Sequence, residues 1–194
     1  MIDYPFYRPT PDELTAFVAG QRMGRLITVS AEGRPHIGLY PFVTVGDAIE
    51  LHLVKGDAQV ADMRQTAKVA FEVDEILSFV PSYFENPESA QAADHYYRTV
   101  ILEGDAHIEN EPNAVAAHLN RLVARYQPEQ GYRPVSAIDP MYAPGVARLA
   151  MIRIEPTRVW GKFKLGQQLS EEDRARVAKA LAVRHSDGRM PKIS

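Results

Sequence analysis

The sequence predicts a mainly β fold of the α+β class, a small antiparallel barrel of six or seven strands with flanking helices. Three observations carry this: short alternating apolar segments bounded by turn residues, connections too short for parallel crossovers, and no internal repeat or linker separating two cores. At 194 residues, a single domain over 1–184 and a flexible tail over 185–194 are expected.

The elements follow in order. Thr10 before Pro11, Asp12 and Glu13 marks a helix start, with Leu14, Phe17 and Val18 at helical spacing and Gly20 as the stop. A meander follows: a strand over 24–30, a turn at 31–34 and a returning strand over 35–45. After Gly46 and Asp47 comes an alternating strand over 48–54, with Ile49, Leu51 and Leu53 opposite Glu50, His52 and Val54. Residues 55–57 break it before a short helix over 58–65 and a strand over 68–73. Residues 78–94 read as an irregular loop and 97–108 as a long central strand. A helix over 113–126 is expected to bury Val115, Leu119, Leu122 and Val123. A loop over 127–145 precedes a strand over 148–154, which Pro156 should break. Ser170 followed by Glu171, Glu172 and Asp173 caps a final helix carrying Val177 and Leu181.

Composition removes several classes of function. With 45% apolar and 24% charged residues the chain is ordinary for a globular protein, and a net charge of −3 gives no footprint for nucleic-acid binding, which stays possible but unsupported. The absence of cysteine excludes disulfides and thiolate chemistry and fits a cytoplasmic setting. No signal-peptide pattern opens the sequence, and no apolar run approaches the ~18 residues that span a bilayer, so no membrane partner is expected.

No Rossmann or Walker loop, zinc-protease pattern or nucleophile elbow occurs, and the six histidines are scattered, so no metal site is expected. Three segments remain. The first is Gly33-Arg34-Pro35-His36 leading to Leu39, Tyr40, Pro41 and Phe42. The second is His52, Leu53, Val54 and Lys55 feeding a helix start with Asp57, Ala58 and Gln59. Lys55 could take a phosphate with the helix N-terminus, while Asp57 caps the helix; His52 either points at a ligand or is structural. The third segment carries the only tryptophan. On a strand, Trp160, Lys162 and Lys164 share one face, a π-surface beside two cations that suits a flat anionic aromatic ligand; a core tryptophan beside solvated lysines is the alternative. Arg98 is either an anion anchor or half of an ion pair.

Together these motifs resemble the split-barrel flavin-binding superfamily typified by pyridoxamine 5'-phosphate oxidase. Residues 161–167 with 170–174 are similar to the C-terminus of PaiB-type FMN-binding negative transcriptional regulators, and Tyr97-Arg98-Thr99-Val100 with Gly104 is similar to nitroimidazole-reductase-like proteins. The resemblance implies a split β-barrel homodimer with FMN at the interface. Lys55 and Gln59 would meet the phosphate, Leu39, Tyr40 and Pro41 with His52, Leu53 and Val54 would border the ring, and Trp160 would lie near it. Lys162 and Lys164 would serve the opposite subunit's pocket. The oxidase's basic residues are missing at Gly38, Val43 and Ala58, and a PaiB-type polar pair is replaced by Gly38 and Leu39, so vitamin-B6 oxidation is not expected. The implied function is a flavin-dependent oxidoreductase of unknown substrate; alternatives are a non-enzymatic regulator sensing flavin and a split barrel holding heme or F420.

Overall fold

A computed structural model describes residues 4–186, with side chains described to Arg184. Seven strands form one antiparallel sheet: β1 (Met23–Val29), β2 (Pro35–Pro41), β3 (Val43–Val45), β4 (Ala48–Val54), β5 (Lys68–Val80), β6 (Asp94–Glu109) and β7 (Leu149–Lys164). Their order is β2-β1-β5-β6-β7-β4-β3. The flanking helices are α1 (Pro11–Gly20), α2 (Ala58–Gln65), α3 (Pro112–Tyr126), α4 (Ala143–Arg148) and α5 (Glu171–Ser186). The fold is the mainly β antiparallel class expected. The chain divides into two compact units, one of Pro11–Val73 with Val100–Trp160 and the other of residues 4–10, Asp74–Thr99 and 161–186.

In the larger unit, β1 and β2 form a hairpin with Leu26 opposite Gly38 and Thr28 opposite His36. Its turn is closed by the Arg34 carbonyl accepting from Ser30 N–H at 2.8 Å, and Gly33 sits there at φ +78°, a conformation glycine adopts without strain. Leu26, Phe42, Ile49, Leu51, Phe71, Ile152 and Ile154 are fully buried, and Phe42 meets Phe71 edge-on at 5.0 Å. The alternation of β4 divides as expected, with Ile49, Leu51 and Leu53 in this core.

Four expectations are corrected. The returning strand over 35–45 is two strands: β2 pairs with β1 as far as Pro41, β3 pairs with β4 from Val43, and the buried Phe42 lies between them. The strand from 148 does not stop at Pro156: β7 runs on to Lys164. Its pairing with β4 ends at Ile154 opposite Ile49, so the missing N–H of Pro156 breaks no bond of that ladder. Helix α4 takes the end of the expected loop (143–145) and the first residue of the expected strand (148), with Pro144 in the first turn where proline is tolerated. Strands β5 and β6 are longer than expected, and the segment between them holds 3₁₀ turns at Ser82–Phe84 and Ala90–Ala92.

In the smaller unit, Val80, Val177 and Leu181 form a core with Phe84, Tyr96 and Leu169 packed against it. Ser170 caps α5 as the sequence implied: its hydroxyl accepts from Asp173 N–H at 3.1 Å and donates to the Asp173 carboxylate at 2.7 Å. Helix α5 extends to Ser186, and the remainder of the expected tail, 187–194, lies outside the described residues. Among the described residues no helix is long and apolar enough to cross a membrane.

Candidate functional site

Helix α2 begins directly after β4, and Asp57 caps it by accepting from Gln59 N–H at 2.8 Å. This turns the Gln59 side chain under the β1–β2 hairpin. The Tyr40 hydroxyl donates to Gln59 Oε1 at 2.7 Å, and Gln59 Nε2 reaches the carbonyls of Leu26 (3.0 Å) and His36 (3.2 Å) and the Thr28 hydroxyl (3.3 Å). Gln59 is thus a buried tie whose amide hydrogens are engaged within the unit. Gly38 is required at this point, since a Cβ there would lie 2.3 Å from the Tyr40 ring and 2.5 Å from Gln59 Oε1. Burial, with a smaller contribution from Asp57, raises the Tyr40 pKa above the usual phenol value.

The opposite face of β2 is different. Ile37 and Leu39 are 65% and 57% exposed, open apolar side chains on the outermost strand of the sheet. Across the hairpin they stand opposite Ile27 and Arg25. Pro41 ends the strand half-buried.

At the end of β4, Leu53 is buried in the core and Val54 is 51% exposed. Lys55 Nζ donates to the Ala147 carbonyl at 2.9 Å, and its backbone N–H to the Arg148 carbonyl at 2.9 Å, at the C-terminal end of α4. One of three ammonium donors is used there.

His52 lies on the other face, beneath α3. Its Nδ1 is 3.2 Å from Nε2 of the fully buried His118, whose Nδ1 is 3.5 Å from Glu50 Oε2, too long for a well-formed hydrogen bond. Glu50, itself buried, accepts from Arg121 at 2.6 Å and Arg153 at 3.0 Å. Burial would raise the Glu50 pKa, but these arginines outweigh it and hold it below the usual carboxylate value. Burial, helped by neighbouring His52 and opposed by Glu50, lowers the His118 pKa to about 4; burial alone lowers that of His52. The sequence showed neither His118 as the partner of His52 nor the two arginines as partners of Glu50, because they come from α3 and β7.

Trp160 is half-buried at the end of the larger unit's share of β7. Lys162 and Lys164 belong to the smaller unit. Lys162 Nζ sits 5.3 Å from the Tyr7 ring centre and 5.7 Å from that of Tyr97. Lys164 pairs with Asp94; burial pulls its pKa down, but the ion pair outweighs this and holds it above the usual lysine value. Arg98 pairs with Glu75 at 3.5 Å, the ion-pair alternative of the sequence reading.

The structure therefore joins Tyr40 to Gln59 at the β4–α2 junction that carries Lys55, while His52 takes part in a separate buried cluster. Among the described residues no group of three or more metal-ligating side chains occurs.

The fold is shared with several solved structures. A conserved hypothetical protein from Mycobacterium tuberculosis matches at 19% identity and TM-score 0.67, over 88% of this chain and 95% of that one. A protein described as a putative 5-nitroimidazole antibiotic resistance protein from Bacteroides thetaiotaomicron matches at 11% and 0.61, over 79% and 83%. A flavocytochrome from Azotobacter vinelandii matches at 18% and 0.69, over 90% and 78%. No curated protein matches the chain in sequence. The chain belongs to the family described as "Putative FMN-binding domain", whose profile matches residues 1–158, and FMN is its cofactor.

Proposed function

We propose that the protein is a flavin-dependent oxidoreductase that works as a homodimer, with FMN against the β2 edge and the β4–α2 junction of each subunit. The observation that carries this is the exposed apolar pair Ile37 and Leu39 on the strand whose other face is tied through Tyr40 and Gln59 to the helix following Lys55. These residues fit the cofactor. A planar ring or a partner strand gains by covering exposed aliphatic side chains, and the free donors of Lys55 suit a phosphate. When bound, FMN supplies the hydride chemistry, and the chain's task is to hold and orient it. In this reading Leu39 and Pro41 support the ring and Lys55 meets the phosphate, while Gln59 positions Tyr40. Trp160 lies near the ring, and Lys162 and Lys164 are offered to the partner subunit.

The test is an absorption spectrum of the purified protein with an FMN titration, and light scattering for the oligomer. Flavin absorption with micromolar or tighter binding and a dimeric mass are expected. No flavin binding, or a monomer that binds FMN fully, would overturn the respective half of the proposal. A Soret band in place of flavin absorption would favour heme, a reading prompted by the flavocytochrome that shares the fold.

A further inference from the structure

Helix α1 and the sheet leave an open cavity of about 300 Å³ between them, and every residue lining it belongs to the larger unit. That volume lies at the lower end of the range for small-molecule sites. Leu14 and Val18 line it from α1, and Ile49, Leu102, Pro156 and Val159 line it from β4, β6 and β7. Two features hold the β6–β7 wall together. Gly104 has no side chain where a Cβ would lie 2.3 Å from the Glu155 carbonyl oxygen, and the Thr157 hydroxyl donates to the Glu103 carbonyl at 3.1 Å. Pro156 adds an apolar ring and carries no backbone N–H that would need a partner.

The polar lining is sparse: the Thr15 and Thr44 hydroxyls and the carboxylate of Asp47, an exposed residue of the β3–β4 turn. Among the described residues no basic side chain lines the cavity, so its one formal charge is negative. A phosphate would be repelled there, which separates the cavity from the Lys55 junction. None of the residues placed against FMN above lines it. Val159 does so beside Trp160, and adjacent strand residues point to opposite faces.

We propose that this cavity binds a small organic cation, an ammonium group carried on an apolar aryl or alkyl body. The body leaves water for the aliphatic lining, and the ammonium donates to Asp47, with the two threonine hydroxyls as further acceptors. A primary amine is protonated at neutral pH, so the charges are complementary there. The proposal is independent of the flavin reading.

The test is an NMR titration of the full-length protein with phenylbutylamine, with and without FMN. Phenylbutyrate and phenylbutanol serve as controls of similar shape. The amine should bind with a Kd of about 1 mM or tighter, about 10-fold better than phenylbutyrate, and shift amides of α1 and the β3–β4 turn. Asp47→Asn should weaken the amine by about 3–5-fold, the worth of a carboxylate at an exposed rim, and leave phenylbutanol unchanged. Ala19→Phe places a ring into the cavity from an exposed position on α1 and should abolish binding, with circular dichroism confirming the fold. FMN should not compete. No amine-dependent shift up to about 10 mM would overturn the proposal. So would amine affinity unchanged in Asp47→Asn, binding that survives Ala19→Phe, or competition by FMN, which would make the cavity part of the flavin site. Wild-type protein that binds the amine but no FMN would support this proposal while overturning the flavin reading.

Discussion

The larger unit buries two carboxylates, and it neutralises them in different ways. Glu50 on β4 sits between two arginines, and the histidine beside it, His118, is sealed from solvent. Asp62 on α2 is instead satisfied by the Thr28 hydroxyl and the solvent-facing His36. Burial lowers the pKa of both imidazoles in the first cluster and so favours their neutral forms. The second cluster's imidazole is part-exposed. A sealed, charge-matched cluster specifies packing of α3 on β4, whereas an open one can exchange protons with solvent.

The comparison breaks most visibly at Glu50. Glu50→Gln takes the buried anion from between Arg121, Arg153 and His118, leaving Arg153 only Glu155, and should cost about 3 kcal/mol in urea unfolding. Asp62→Asn removes the same single charge but strands a hydroxyl and a half-exposed histidine in place of arginines, and should cost about 1–2 kcal/mol. Equal costs would erase the distinction.

Acid should act next. The folded-state pKa of His118 is depressed from 6.5 to about 4, so the native state holds it neutral. That stability is present above pH 6.5 and is lost as pH falls from there toward 4, because the unfolded chain takes up the proton first; the loss is on the order of 2–3 kcal/mol. Glu50 and Asp62, both lowered, add their losses only below about pH 4.5 and 3.8 respectively. Unfolding midpoints should stay level from pH 8 to 6.5 and fall from there to 4.5 in the wild type, with a shallower fall in His118→Gln. A flat wild-type profile would mean that His118 is not held neutral.

A further break concerns the Tyr40 tie. Gly38→Ala drives a methyl group into the Tyr40 ring and should cost about 1–3 kcal/mol, with the phenol displaced from Gln59. A thermal melt and tyrosine fluorescence would show it.

Much of this frame was legible in the sequence, because the governing signals are local. The Asp57 cap, the β4 alternation and the acidic start of α5 are set by neighbours within four residues. What escaped depends on distant partners. Pro156 reads as a strand breaker until the β4 ladder is seen to stop at Ile154. The candidate site divides in the same way. Tyr40, Lys55 and Gln59 were named from their motifs, but nothing local ties Tyr40 to Gln59, 19 residues away. Thr28 and Asp62, 34 residues apart, carried no signal at all. For His52 the sequence leaves a ligand-facing and a structural role open, and its partner His118 lies 66 residues on, in the helix that covers it.

The most direct test of the account is FMN affinity, measured by fluorescence in the wild type, Leu39→Asp and Lys55→Ala, with circular dichroism as the control for folding. Both side chains are exposed or half-exposed, so the fold should persist. If FMN lies on the β2 edge with its phosphate at the β4–α2 junction, each substitution should weaken binding by about 10-fold or more, the worth of one charge-assisted contact or a disrupted apolar platform. Unchanged affinity in both variants would contradict the placement.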